Sequence, residues 1–285
     1  MCLNPKPRSG IVSTAMIKTR RAKPCSLRRS QPLSRCGAWL ALGLGFSILS
    51  QSATLQAASL KAPGRAITIT NSAIVIHPIN HATLVMVSGD RTIYVDPVGE
   101  RSRFAGLPRP DLVLVTDIHE DHLSTNTLEW ITTDRTIIIA PSVVKEKLSE
   151  KLQQRTSAMA NGETNTFGGV TIEAVPMYNL TPDRLKFHEK GRGNGYIVTA
   201  GEKRVYISGD TEDIPEMRNL KNIDAAFVCM NLPFTMTVEQ AASAVREFKP
   251  KIVCPYHCQG SDLDMFKNLV GEDAGIVVQL REWYR

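Results

Sequence analysis

The densest concentration of reactive side chains is Thr116-Asp117-Ile118-His119-Glu120-Asp121-His122, where two imidazoles and three carboxylates directly follow the apolar run Leu112-Val113-Leu114-Val115. At a strand end with no compensating cation, these groups would repel one another or forfeit solvation. A divalent metal removes that conflict. Imidazole nitrogen combined with carboxylate oxygen suits zinc, and also iron or manganese. The competing reading is a polar turn that begins a helix at Ser124, with Asp121 and His122 in solvent. Two distant elements weigh against it: Gly209-Asp210-Thr211 follows the run 204–208, and Tyr256-His257 follows the run 251–254. Each presents a metal-competent side chain at the carboxyl end of a strand, where α/β architectures gather their sites.

The elements that must position these residues are legible as β-branched and apolar runs. Strands are expected over 66–77, 83–87, 92–95, 112–116 and 136–140, then over 170–175, 196–199, 204–208, 225–229, 251–254 and 276–280. Most are continuous rather than alternating, as in strands covered on both faces. Helices are expected over 124–131, 141–152, 237–248 and 262–270. Their starts carry a hydroxyl cap, a first-turn proline, or Glu239 and Gln240 in the first turn. A hairpin-rich first part followed by alternating strands and helices predicts an α/β sandwich with helices outside the sheets.

The first 59 residues have a different character. They hold nine Lys/Arg and no Asp or Glu, so residues 60–285 carry 25 of the 34 basic residues against all 28 acidic ones. The overall +6 therefore belongs to the leader, and nucleic-acid binding is not expected. An apolar run at 37–49 follows Arg28, Arg29 and Arg35 and precedes a small-residue stretch at 50–59, the order of a secretory signal. It is short for a bilayer span, so no stable membrane span is expected after cleavage, placed at Ala57-Ala58-Ser59. Met16 is an alternative start, and the arginine pairs only weakly suggest twin-arginine export. The expectation is an exported protein, periplasmic or secreted, with a single domain over 60–285. Cys229, Cys254 and Cys258, an odd number, read as small buried residues rather than a disulfide framework.

Taken together, Asp117-x-His119-x-Asp121-His122, Gly209-Asp210-Thr211 and Pro255-Tyr256-His257 resemble the metallo-β-lactamase superfamily, whose signature is His-x-His-x-Asp-His followed by a distant His, Asp and His. The likeness spans roughly 66–285 and is similar to the branch containing L-ascorbate-6-phosphate lactonase and N-acyl-phosphatidylethanolamine phospholipase D. It implies a four-layer αββα sandwich of two related halves and two metal subsites. One subsite is complete in Asp121, His122, Asp210 and His257. In the other only His119 matches: Asp117 stands at the first histidine position and Asn179 at the third. Asn179 is open between ligand, hydrogen-bonding support and plain strand-end amide. Its Asn179-Leu180-Thr181 sequon is disfavoured by Pro182.

His188 reads as a solvated loop histidine, with the missing ligand or a substrate contact as the alternative. Gly191, Gly193 and Gly195 precede a strand and not a helix, so a dinucleotide site is rejected in favour of a flexible loop over the cleft. His81 reads as the partner of a buried backbone group or as support for a ligand, and Asp96, ahead of Pro97, as a structural or ligand-supporting carboxylate.

The function implied is metal-dependent hydrolysis of an ester, lactone, amide or phosphodiester bond in a small-molecule or lipid-like substrate. One or two zinc ions, or iron or manganese, would activate the attacking water, and Asp121 would orient it as well as bind metal. With the altered subsite, a mononuclear centre is one version of this expectation. The alternative is a non-catalytic exported binding protein on a decayed hydrolase scaffold.

Overall fold

The computed structural model describes residues 66–69 and 73–284. The leader expected over 1–59, with its start and cleavage positions, lies outside the described residues. Among the described residues no helix is long and apolar enough to cross a membrane.

The chain runs through β1 (Ile67–Thr68), β2 (Ile74–Asn80), β3 (Thr83–Ser88), β4 (Arg91–Val95), β5 (Leu112–Leu114), α1 (Thr125–Ile131), β6 (Ile137–Ala140), α2 (Ser142–Lys147), α3 (Glu150–Gln153) and β7 (Thr156–Ala158). These strands form a seven-stranded sheet in sequence order, antiparallel from β1 to β4 and parallel from β4 to β7. There follow β8 (Thr164–Phe167), β9 (Val170–Met177), β10 (Gly193–Ala200), β11 (Lys203–Ile207), α4 (Pro215–Arg218), β12 (Ala225–Cys229), α5 (Val238–Phe248), β13 (Ile252–Tyr256), α6 (Leu263–Val270) and β14 (Val277–Val278). The second seven-stranded sheet repeats the first: sequence order, antiparallel from β8 to β11, parallel from β11 to β14.

Side chains on a strand alternate between faces, and here both faces are covered. Leu84, Met86, Ile93, Val95, Leu112 and Leu114 join the large core shared with the second sheet, where Ile172, Tyr196, Val198 and Ile207 lie. The intervening Val85, Tyr94 and Val113 pack instead with Leu128 and Ile131 of α1 and Val144 of α2. On the outer side of the second sheet, α5 meets β11 through Phe248 and Tyr206, whose rings cross 6.1 Å apart. The result is the four-layer αββα sandwich, and its doubly covered strands explain the unbroken apolar runs.

Two helix starts carry the expected caps and Asp262 adds one that was not expected, while Pro141, expected in a first turn, sits at the N-cap of α2. Ser124 accepts from Thr127 N, Thr237 and Gln240 form a reciprocal capping box, and Asp262 accepts from Met265 N. Elsewhere the structure differs from the expectation. The single helix expected over 141–152 is two, because Leu148 and Ser149 are both extended and interrupt the helical backbone between α2 and α3. The strand expected over 66–77 is divided between β1 and β2. Strands β7 and β8 were not expected, and the polar, largely exposed Thr164–Phe167 carries no apolar run to announce it. Gly193 and Gly195 are not loop residues but lie buried in β10. A Cβ on Gly193 would come within 3.0 Å of Thr116 O, and one on Gly195 within 2.7 Å of Ser208 O, so both are required by close backbone approach.

Candidate metal centre

After β5 the chain turns sharply, with His119 O accepting from His122 N at 3.0 Å and Leu123 N at 2.8 Å. This turn brings Asp121 and His122 to the edge of the sandwich, where Asp210, three residues beyond β11, and His257, directly after β13, arrive from the other sheet. Gly209 at φ 62 and His257 at φ 44 are the left-handed positions that let these strand ends turn inward. The four offer ligand atoms that all lie within 4.8 Å of one another. His257 Nε2 is 3.1 Å from Asp121 Oδ2 and 3.4 Å from Asp210 Oδ1, and His122 Nε2 is 3.3 Å from Asp210 Oδ2.

The polar atoms of this cradle fit a cation. His122 is fully buried and its Nδ1 is engaged 2.8 Å from Asp96 Oδ2, so its Nε2 is the nitrogen left for a ligand. That Nε2 and Asp210 Oδ1 are buried without a hydrogen-bond partner. Burial opposes ionising Asp210, yet His257 and His122 outweigh it and hold the carboxyl well below its usual range. Asp121 is lowered in the same way: burial opposes, and hydrogen bonds from His257 and His81 prevail. Burial likewise disfavours charge on His122, but Asp210 and Asp96 overcome it and raise the ring well above the ordinary imidazole range. Two anions thus stay ionised in a buried site and draw positive charge to it, which an ion supplies with better geometry than protonated imidazole.

A second group, Asp117, His119 and His188, lies beside the first. His188 is not a solvated loop histidine. It is buried, with Nδ1 3.2 Å from Phe234 O and Nε2 3.2 Å from Asp210 Oδ2 and 3.8 Å from Asp117 Oδ2. Asn179 stands in neither group. Its Nδ2 donates to Arg184 O at 2.9 Å and Phe234 O at 2.7 Å, and its backbone N to His188 O at 2.9 Å. It therefore ties down the segment that carries His188, and its own burial closes the sequon to modification in the folded chain. Asp117, also fully buried, is gripped by Arg192, with Nε 3.2 Å from Oδ1 and Nη2 2.8 Å from Oδ2.

Further residues hold these side chains in place. Asp96, directly after β4 at φ 43, accepts from Thr116 N at 2.8 Å and Thr116 Oγ1 at 2.7 Å in addition to His122. The His81 ring does not pair with a backbone group but supports a cradle residue: its Nε2 is 3.2 Å from Asp121 Oδ2 and its Nδ1 is 2.9 Å from Tyr284 Oη, while its carbonyl accepts from His257 N. Tyr284 also accepts from Cys258 N at 2.8 Å, and the adjacent Trp283 donates to Pro255 O at 2.6 Å. Glu212 accepts from Leu180 N, Thr181 N and Arg184, pinning the loop after β9. Thr116, Arg192, Glu212 and Tyr284 carry no motif of their own. The one signal was Arg192's place between Gly191 and Gly193, in a segment singled out for its glycines.

The centre opens into a cleft of about 410 Å³ lined by His81, His119, Asp121, His188, Asp210 and His257, with Phe187 and Phe234 as an apolar wall. Those two rings meet edge to face at 5.1 Å. Another cavity of about 440 Å³, against α1, is lined by Tyr94, Arg101, Phe104, Glu129 and Trp130 and, among the described residues, holds no cluster of metal-competent side chains. Cys229, Cys254 and Cys258 are free and buried, and burial pushes the Cys229 and Cys258 thiols up to about 12, so none is a nucleophile.

A family model described as the beta-lactamase superfamily domain matches residues 91–258. A UPF0173 metal-dependent hydrolase from Thermococcus kodakarensis is 30% identical over 213 residues, covering 70% of this chain and 93% of the relative. A crystal structure from Parabacteroides distasonis, assigned as a metal-dependent hydrolase, is 40% identical with a TM-score of 0.71 and covers 78% of this chain and 99% of its own. A metallo hydrolase from Ignicoccus hospitalis, 21% identical with a TM-score of 0.62 over 74% of this chain and 96% of its own, shares the fold.

Proposed function

The chain belongs to the beta-lactamase superfamily domain family, with the metallo-β-lactamase fold, and on that premise we propose that it is a metal-dependent hydrolase of an ester, lactone, amide or phosphodiester bond. One observation carries the reading: Asp121, His122, Asp210 and His257, drawn from both sheets, gather ligand atoms within 4.8 Å, with a buried nitrogen and a buried oxygen left unpartnered between them. Zinc, iron or manganese held there supplies Lewis-acid activation of a water and of the scissile carbonyl or phosphoryl oxygen.

The chain's own side chains do the rest. Asp121 is the one member of the cradle that is exposed, its side chain 44% accessible toward the cleft, so it is placed to orient the water as well as to bind metal. His81 and His257 hold that carboxylate from both sides, and Asp96 fixes His122 through Nδ1. Phe187 and Phe234 give the cleft an apolar side against which the body of a small or lipid-like substrate rests. The signal-like segment at 37–49 supports an exported enzyme, to be checked by fractionating cells that express the full chain.

The test begins with metal content in protein purified without a chelating tag. A panel follows: a nitrophenyl ester, a bis-nitrophenyl phosphodiester, an acyl-homoserine lactone and a chromogenic β-lactam, each with apo and metal-loaded protein. Turnover of one probe class that rises with metal and is abolished by His257→Ala is the expected result. A well-folded protein that refuses metal would sink the proposal, and metal retention with no turnover of any bond class would favour a binding protein.

A further inference from the structure

The two metal-competent groups differ in one respect that their donor sets do not reveal. Asp121 and Asp210 face histidines, and among the described residues neither pairs with a lysine or arginine. Asp117 faces a guanidinium. Arg192, one residue ahead of β10, approaches it in the parallel fork that arginine makes with carboxylates, and Nη2 donates as well to Phe187 O. The same Nη2 lies 3.4 Å from His119 Nε2, while His119 Nδ1 lies 2.9 Å from Asp117 Oδ2. Both oxygens of Asp117 and both ring nitrogens of His119 therefore have partners already. The remaining member, His188, directs Nε2 closer to Asp210 than to Asp117.

A dication entering this subsite would have to displace a guanidinium from a buried carboxylate, or sit beside its positive charge. The second subsite does not fit a metal. We propose that Arg192 is its resident cation: the chain takes one metal ion, in the cradle of Asp121, His122, Asp210 and His257, and Arg192 holds the place of a second. Arg192 is then a positioning residue. It locks Asp117 and His119 together, so that His119, 39% exposed on the cleft wall, meets substrate as an imidazole free of metal. This rests on the proposed hydrolase reading for the first ion only.

The decisive measurement is metal stoichiometry by elemental analysis and calorimetric titration with zinc and manganese, on the full chain, for wild type, Arg192→Met, Arg192→Lys and His119→Ala. Wild type is expected to bind one equivalent even in excess metal. Arg192→Met, which frees Asp117, His119 and His188, should rise to two, Arg192→Lys should stay at one, and His119→Ala should keep its single ion. Two equivalents in wild type overturn the proposal, as does an Arg192→Met protein that folds yet stays at one, or loss of the ion in His119→Ala. If Arg192→Met fails to fold, the wild-type count and His119→Ala decide alone. A wild type that binds none contradicts the hydrolase reading itself, a separate outcome.

Discussion

In the half built from β1 to β7, the side chains that form the metal cradle come from one loop: Asp121 and His122 are neighbours in sequence after β5. In the half built from β8 to β14 they arrive singly, Asp210 beyond β11 and His257 beyond β13, with His188 from the loop between β9 and β10. The strand order and the switch from antiparallel to parallel pairing are nevertheless the same in both. The fourth strand of each half, at that switch, is followed by an aspartate, and the two sit on opposite sides of one ring. Asp96 lies 2.8 Å from His122 Nδ1, and Asp210 lies 3.3 Å from its Nε2. Equivalent places in a repeated scaffold have been given unequal work, one carboxylate backing the histidine and the other facing the ion.

That inequality can be broken experimentally. The largest effect is expected from His122→Ala and Asp210→Ala, one from each half: each should lose the bound ion and drop hydrolysis to background, read by elemental analysis beside turnover. Full metal retention in either variant would end the idea of a centre shared between halves. Asp96→Asn should be milder, weakening metal affinity by about 10–100-fold while leaving a loadable site. If it matched Asp210→Ala, the two aspartates would be equal partners after all.

Glu212→Gln sharpens the comparison through the loop that belongs to the second half alone. Burial opposes ionising Glu212, but the Thr181 and Leu180 amides and Arg184 prevail and lower its pKa below 4.5. A depressed carboxylate stabilises the fold fully above pH 4.5 and ceases to do so as pH falls through its folded value. The variant should therefore lose about 1–3 kcal/mol at pH 7 and show a flatter acid limb, measured by urea unfolding across pH 3–7. Smallest of all, His81→Ala should reduce turnover by about tenfold or less, since Asp121 keeps His257.

The first half's contribution was easy to see in the sequence because its ligands are contiguous and follow an apolar run. Asp210 and His257 were visible for a related reason, each being a metal-competent residue just past a buried strand. His188 was not, since nothing in Phe187-His188-Glu189-Lys190 announces that Asn179 and Phe234 will hold it inward. Arg192 was hidden between Gly191 and Gly193: Gly193, with Gly195, proved to lie in β10 against the backbone of Thr116 and Ser208, while Gly191 turns the chain at φ 87. The sandwich was legible from doubly buried runs, whereas β7 spans only three residues and β8, folded straight back on β9, is polar and largely exposed, so neither carries an apolar run.

Trp283 and Tyr284 lie more than twenty residues beyond the last metal-cradle residue, yet they lock onto Pro255, Cys258 and His81. Truncation that removes Trp283 and Tyr284 would slacken the mouth of the centre without touching a single donor atom. Preparations that lose metal on storage should accordingly be weighed by mass spectrometry before the ion-holding residues themselves are blamed.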